Sequence, residues 1–508
     1  MPQLRFGALH SSYYDLGQYT TNYVMAALDG HWDIMFRSHA HPVMLLKAPF
    51  LQLLPRVETL LLLQSALLLI GVTLFGRLWT TVTGGDVWAG AGLIMLSISL
   101  WSIALFDYHF ECFLFPLYVL FFLRLEADGR RVQLELALIA AAICLVKENY
   151  ALTALGLGVS LIAMRRHIVL GAGIVVGAAL YFLLATMYIM PAFSDGRQAG
   201  DLWADAFAYL GRTPLEIVTN AVLRPWLLLE SGLLSPRKLV FLAAMLVPFA
   251  VALWRAPLLL IPALPHVAIM LLSRSDNHSY LANQYTVPIA LPLLVATAHA
   301  IGSLRRGQPA SSPGVAQGFL ALACIGSLAV TLTFGLAPMS RLFLTPSIWS
   351  FNAGAYIRTK RDQIVEQLIN QHVPADRGVA VAMQNTLHVG RLSLRTHAVA
   401  FPDGVFEPVR VLRSAAIATH GPAAAATGRN AATRHVDAIA AAMTGAVHVD
   451  YVVLDNQRPR YINDRPAPPG SEAASRFDAL VRRLPEQFML TGTYDGVEIW
   501  RRGPPAAR

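Results

Sequence analysis

The chain reads as a mainly α protein: a polytopic transmembrane helical bundle of about ten spans, followed by a small α/β domain. Three observations lead there. Hydrophobic residues make up 55% of its 508 residues and charged residues only 14%, whereas ordinary soluble domains carry about 25% charged residues. Apolar runs recur from 57 to 340, most of them near the roughly 17–25 residues that a helix needs to cross about 30 Å of hydrocarbon. After about 341 the pattern changes to a charged, periodic helix and then to short β-branched runs, which predicts a compact α/β unit.

The expected spans lie at 57–78, 86–106, 110–125, 132–146, 150–164, 167–190, 238–254, 256–273, 286–304 and 316–338. Ahead of them, 16–28 places Leu16, Tyr19, Tyr23, Val24 and Ala27 at helical spacing and is read, with 42–54 between Pro42 and Pro55, as interfacial helix rather than span. These features divide the chain into an opening loop at 1–56, a membrane domain at 57–340 and an α/β domain at 341–508. In the last, "GVAVAM", "VDYVVLD" and "GVEIW" are the expected strands, and an alanine-rich insert at about 414–446 is expected to be helix and loop. The tail shows no nucleophile elbow, glycine-rich phosphate loop or paired metal-ligand spacing.

The net charge of +9 comes mostly from basic pairs at the ends of apolar runs, so it reports membrane orientation and predicts no nucleic-acid partner. The three cysteines, Cys112, Cys144 and Cys324, all fall in apolar runs, which supports neither a disulfide framework nor a thiolate metal site. Arg77, Arg124, Arg130, Arg131, Arg165, Arg166, Arg255, Arg305 and Arg306 assign alternate connections to the cytoplasm. The other connections, including "FDYHFE", "KENY" and "SRSDNHSYLANQY", then lie outside, together with the opening stretch and the C-terminal domain. Residues 1–14 hold no span or signal peptide that would export the opening stretch, so a further apolar span encoded upstream of Met1 is expected.

Taken together, "YYDLGQYTTNYVMAALDGHWD…SHAHPVMLLKAPFLQLLPRVETLLLLQ", "FDYHFECFLFPLYVLFFLRLE", "KENYAL", "NQYTVPIALPLLVA" and "VDYVVLD…YDGVEIWRR" resemble the bacterial membrane proteins of domain-of-unknown-function family 2079. That family looks like a relative of the GT-C glycosyltransferases, which draw sugars from polyprenyl-phosphate carriers on the extracytoplasmic face. The resemblance implies a GT-C-like bundle in the bacterial inner membrane, a polyprenyl-phosphate-linked sugar donor and contact with membrane lipid. Lys47 departs from it, standing where an apolar residue is expected.

Glycosyl transfer needs a base for the acceptor hydroxyl, a cation for the phosphate leaving group and a groove for the lipid. The resemblance implies Asp15, in the first outer loop, as the catalytic base; read alone, Asp15 is equally an N-cap for the helix that follows. His39 and His41 are candidate contacts to phosphate or sugar, and a divalent metal shared with His31, Asp33 or the "DYHFE" stretch is a lesser alternative. Asp107, His109 and Glu111 cluster at a span junction, where ionisable groups are costly enough to suggest function. Lys147 and Glu148 read first as an ion pair at a span end and otherwise supply a phosphate ligand. Arg274, Asp276, His278 and Tyr285 complete the outer face, Arg274 being the second cation suited to phosphate. A transporter, a lipid-binding protein and a non-catalytic scaffold are the rival readings. Donor sugar, acceptor, metal requirement and oligomeric state are not legible.

Overall fold

The structure is a computed structural model that describes residues 2–503, apart from 13–15, 28–29, 31, 37–38, 128, 194–203, 234, 308–313, 346–351, 377, 385, 388, 408, 411–445 and 463–464. Asp15, His31 and almost all of the alanine-rich insert therefore lie outside the described residues. The chain forms two units. One gathers Met1–Trp32, Ala48–Leu61 and Pro346–Arg508; the other gathers Asp33–Lys47 and Leu62–Thr345.

The first unit is built on a five-stranded sheet. Its strands are β1 (Ala380–Met383), β2 (His397–Ala400), β3 (Tyr451–Asp455), β4 (Phe488–Tyr494) and β5 (Val497–Arg502), in spatial order β2-β1-β3-β5-β4. β1 runs parallel to β2 and β3, and β5 pairs antiparallel with β3 and β4. Because side chains alternate across a strand, Val381, Met383, Val453, Val497 and Ile499 face the helix Lys360–His372, burying Val365 and Ile369. Ala380, Ala382, Val452, Leu454 and Phe488 face Phe477 of the helix Glu472–Arg483. Thr359 and Asp362 form a reciprocal capping box that starts the first of these helices. Arg361 grips Asp455 through both nitrogens, at 2.9 and 3.0 Å, at the end of β3.

The opening segment belongs to this unit. The ring of His10 lies 3.0 Å from the carbonyl of Ala355, and Arg458 donates to the Leu9 carbonyl at 2.7 Å. The helix Gln18–Ala27 packs on Gly390–Arg395 and on β2, burying Tyr23 and Val24. This corrects the interfacial reading of 16–28: its apolar face is covered by protein rather than left for lipid. The helix Met44–Leu53 does leave Leu46, Phe50 and Leu53 exposed.

Among the described residues of the second unit, five helices are long and apolar enough to cross a membrane: Val57–Thr83, which begins in the first unit, Ile168–Phe193, Pro236–Arg255, Gln284–Gly307 and Gly314–Phe334; Val87–Leu96 and Ile98–Ala104, bent by 69°, make a sixth if taken as one broken span. Gln284–Gly307 is central, with 89% of its apolar stretch buried, whereas Ile168–Phe193 and Gly314–Phe334, at 22%, present most of theirs outward. The expected count of about ten is thus reduced to five or six by length. Helices do occupy the other expected positions, but Leu114–Leu125, Val132–Val146 and Ala151–Ala163 have 12, 15 and 13 residues. At about 1.5 Å per residue these fall short of about 30 Å. Their lengths are limited by the polar breaks "FDYHFE" and "KENY", where Lys147 is extended (φ −166°, ψ 148°) and ends the helix before it.

Ala151–Ala163 and Ile168–Leu184 cross at Gly158 and Gly171 so closely that a Cβ on either would lie 2.7 or 2.8 Å from the other's carbonyl oxygen. Small residues at such crossings let helix backbones pack directly. At one end of the unit, arginines close the connections: Arg166 pairs with Glu126 at 2.7 Å, Arg306 donates to the Val82 carbonyl at 2.8 Å and Arg305 to that of Thr83 at 3.3 Å. The polar breaks at Asp107–Glu111 and Lys147–Tyr150 lie at the opposite ends of the same helices.

Candidate functional site

These breaks bring the ionisable residues together. The buried carboxylate of Glu148 accepts from the Ala40 backbone N–H at 2.9 Å and meets the His39 ring at 2.8 Å, so both of its oxygens hold the "SHAHP" segment. Val43 fixes the same segment to the end of Val132–Val146 by donating to the Leu145 carbonyl at 3.0 Å. His41 is fully buried, its ring 4.4 Å from that of Phe110, and neither ring nitrogen has a hydrogen-bond partner among the described residues. Beside it, Glu111 accepts from the Tyr150 hydroxyl at 2.8 Å and lies 3.8 Å from the His109 ring. Gln64, a lone amide in a run of leucines, braces this loop: it accepts from the His109 N–H at 2.8 Å and donates to the carbonyls of Ile103 and Asp107 at 3.0 and 3.1 Å.

Electrostatics tie the cluster to Lys147. Burial alone would raise the Glu148 carboxyl, but the charge and hydrogen bond of His39, with the Lys147 ammonium, outweigh it and bring the carboxyl down to about 2. Burial lowers His41 to about 3, with His39 and Lys147 adding to the effect and Glu148 opposing it. His109 is lowered by burial against the pull of Glu111, and Lys147 pushes it further down. His278 is lowered to about 4, first by burial and then by Lys147 and Lys238. The charge of the nearly buried Lys147 therefore acts on His41, His109, Glu148 and His278.

His278 approaches the Ser273 hydroxyl at 2.6 Å and meets Tyr285 edge-on at 4.5 Å, so the "SRSDNHSYLANQY" loop reaches the same end of the unit. Arg274 and Asp276 turn elsewhere. The Arg274 guanidinium stacks over Tyr209 at 4.3 Å, and exposed Asp276 pairs with Arg237. Asp107 is buried and close enough to raise His109. Sequence reasoning gave no role to Tyr150, Gln64 or Tyr108. The signals were present in a polar amide inside "LLLLQ" and in tyrosines beside acidic residues.

Lys47, the departure from the family pattern, is buried. It donates to Tyr108 at 2.9 Å, contacts Cys112 Sγ at 3.5 Å, and lies over the rings of Tyr108 and Phe113 at 4.2 and 4.6 Å. Burial pulls its ammonium down to about 8, with Cys112 opposing. Cation–π contacts and a phenol thus replace the apolar packing expected there. Among the described residues, no group of three or more His, Cys, Asp or Glu side chains is arranged to hold a metal ion.

His41 gives the cluster a pH signature. An unfolded chain takes up its proton near the ordinary value of 6.5, while the folded ring stays neutral down to about 3. The unfolded state therefore binds more protons across that window, and stability falls as pH drops through it. Thermal unfolding in detergent should show this loss already between pH 6.5 and 4.5. His41→Phe, which keeps an aromatic ring against Phe110, should flatten the slope there.

Long apolar helices around a buried cluster of histidines, carboxylates and a lysine define a membrane protein whose polar centre sits at one end of its bundle. Residues 8–376, well over half of the chain, match the family described as "Predicted membrane protein (DUF2079)", and the chain belongs to that family. No curated protein and no solved structure matches it.

Proposed function

We propose that this protein is an integral membrane glycosyltransferase of GT-C type, taking a sugar from a polyprenyl-phosphate donor on the extracytoplasmic face of the bacterial inner membrane. The observation that carries the reading is His41, a fully buried imidazole whose two nitrogens have no partner among the described residues and on which the charge of Lys147 acts. Buried polar groups are almost always hydrogen-bonded, and a ligand rich in oxygen that carries negative charge would give the His41 ring a partner and suit the charge of Lys147. In the reaction, the acceptor oxygen bonds to the anomeric carbon as the bond from that carbon to the phosphate oxygen breaks. The phosphate leaves with the electron pair, and a base takes the acceptor proton, the role that the family resemblance gives to Asp15. Lys147 is favoured over Arg274 as the phosphate cation because its charge acts on three histidines of the cluster. His39, Asp107, His109, Glu111, His278 and Tyr285 would border the sugar.

Transport is the second reading, favoured by the bent helix pair and by short helices that end at ionisable residues, features that line pathways in transporters. The test separates the two. Purified protein in detergent should be thermally stabilised by undecaprenyl phosphate and not by undecaprenol, with the shift lost in Lys147→Met. It should also transfer labelled sugar from a polyprenyl-phosphate donor without any membrane gradient. Binding without transfer under those conditions favours transport, and no shift with undecaprenyl phosphate defeats the phosphate site. On this reading the arginine-rich connections are cytoplasmic, and the expected topology puts the C-terminal domain outside. A C-terminal reporter active only after export should therefore be active, and signal from a strictly cytoplasmic reporter would reverse the orientation.

A further inference from the structure

The connection between the candidate spans Ile168–Phe193 and Pro236–Arg255 contains a second apolar feature. The helix Pro214–Leu223 starts with Thr213 capping the Glu216 N–H, carries Pro214 in its first turn, and buries none of its residues. Leu215, Val218 and Val222 follow one another at i, i+3 and i+7, so they share one face. With Leu223, Trp226 and Leu229 they are between 62% and 71% exposed. Glu216 and Asn220 occupy another side and are engaged locally: Glu216 accepts from the Arg212 N–H at 2.7 Å, and Asn220 donates to the Leu210 carbonyl at 2.5 Å.

We propose that Pro214–Leu223, continued by the turn Pro225–Ser231, is an interfacial helix resting its Leu215–Val218–Val222 face in the headgroup–acyl boundary of the bilayer. Three features of the chain choose lipid as the occupant. The span Pro236–Arg255 begins five residues beyond Ser231, which holds the segment at the level where a membrane helix starts. The chain runs from this face into a span that also presents apolar residues outward, with Leu239, Val240, Val247 and Trp254 exposed. Exposed Arg212 and Arg224 flank the face, and Trp226 follows it. Arginine suits anionic headgroups and tryptophan favours the interface.

The placement bears on the candidate site. Arg274 donates its backbone N–H to the Ala206 carbonyl at 3.0 Å, the Tyr209 hydroxyl donates to Leu272 at 2.6 Å, and Phe207 stacks with His278 at 6.0 Å. The residues leading into the interfacial helix are thus fastened to the loop that carries His278. If the ligand is lipid-borne, as proposed above, its headgroup would meet this loop at the membrane surface; the docking of the helix itself does not depend on that reading.

The test uses the full chain in nanodiscs of phosphatidylethanolamine and phosphatidylglycerol, with spin labels on single cysteines placed by Leu215→Cys, Val218→Cys, Val222→Cys and Glu216→Cys. The labels are placed in a Cys324→Ser background, which removes the partly exposed native thiol, and the same background without a new cysteine, with Cys112 and Cys144 buried, sets the labelling baseline. Collisions with dissolved oxygen should exceed those with a water-soluble nickel chelate several-fold at 215, 218 and 222, and the order should reverse at 216. Ready access of the chelate to 218 would overturn the proposal, since the face would then lie in water. Exclusion of both reagents at 218 would overturn it too, because protein or a second copy would be the cover. A second measurement leaves the helix intact: brominated lipid should quench more tryptophan emission in wild type than in Trp226→Phe, and equal quenching would count against the interface.

Discussion

Glu148→Ala is expected to destabilise the membrane unit by about 3 kcal/mol. Removing one partner of a buried ion pair typically costs about 3–5 kcal/mol, and the lower end applies where water reaches the partner left behind. His39 is 29% exposed, whereas Glu148 is 1% exposed. The loss has two parts, an unpaired His39 ring and an unpaired Ala40 N–H, and both fall on the segment that carries His41. Glu148→Gln separates charge from hydrogen bonding, since its amide oxygen can accept from Ala40 while its amino group faces the ring. It should lose much less. The carboxyl's depression from the ordinary 4.5 to about 2 adds a second signature: the stabilisation is fully present above about pH 4.5 and is lost as pH falls toward 2. Unfolding in detergent across that range should therefore show a steeper acid-side loss in wild type than in Glu148→Gln, where the contribution of His41 remains down to about pH 3. Equal stability of the Ala variant and wild type would mean that the "SHAHP" segment is held by something other than Glu148.

Much of the fold could be read from hydropathy and strand chemistry, because both depend on local composition. "GVAVAM", "VDYVVLD" and "GVEIW" become β1, β3 and β5. The edge strands β2 and β4 were not anticipated: "HAVA" is only four residues long, and in β4 most side chains are not buried, so neither shows the alternation that marks a half-buried strand. Apolar content located the candidate spans found among the described residues but overstated the number of full crossings, since it does not register that "KENY" and "FDYHFE" cut helices short. The gathering of Glu148 with His39, and of Glu111 with Tyr150, spans separations of 109 and 39 residues. Nothing local specifies such pairs. The loops singled out as sharing one face do supply the residues of this cluster, while Arg274 and Asp276, in one of those loops, turn away from it. The helix Gln18–Ala27 was misjudged for the same reason: its apolar face fits lipid or protein equally well until its neighbours are known.

Asp15→Asn is expected to reduce sugar transfer by about 10² to 10⁴-fold, the usual contribution of a general base. Asp15 itself lies outside the described residues, but the chain on either side is fixed in the first unit. Leu9 and His10 are bonded to Arg458 and Ala355, and the helix from Gln18 is packed on Gly390–Arg395 and β2. Replacing the carboxylate by an amide of the same size leaves those anchors in place and removes basicity. If Asp15 serves only as a helix cap, the order of effects is different. Asparagine caps about as well as aspartate, whereas Asp15→Ala costs roughly 0.5–2 kcal/mol of stability. The deciding comparison measures transfer from a polyprenyl-phosphate donor, together with thermal unfolding, for wild type and both variants at matched protein levels. A base predicts that both variants lose transfer and that Asn keeps its stability. A cap predicts that Asn retains both properties and that Ala loses stability before activity. Near-normal transfer by the Asn variant would remove Asp15 from the chemistry and leave the buried cluster around His41 and Lys147 to supply the base, with Glu148 and Glu111 as the carboxylates to replace next.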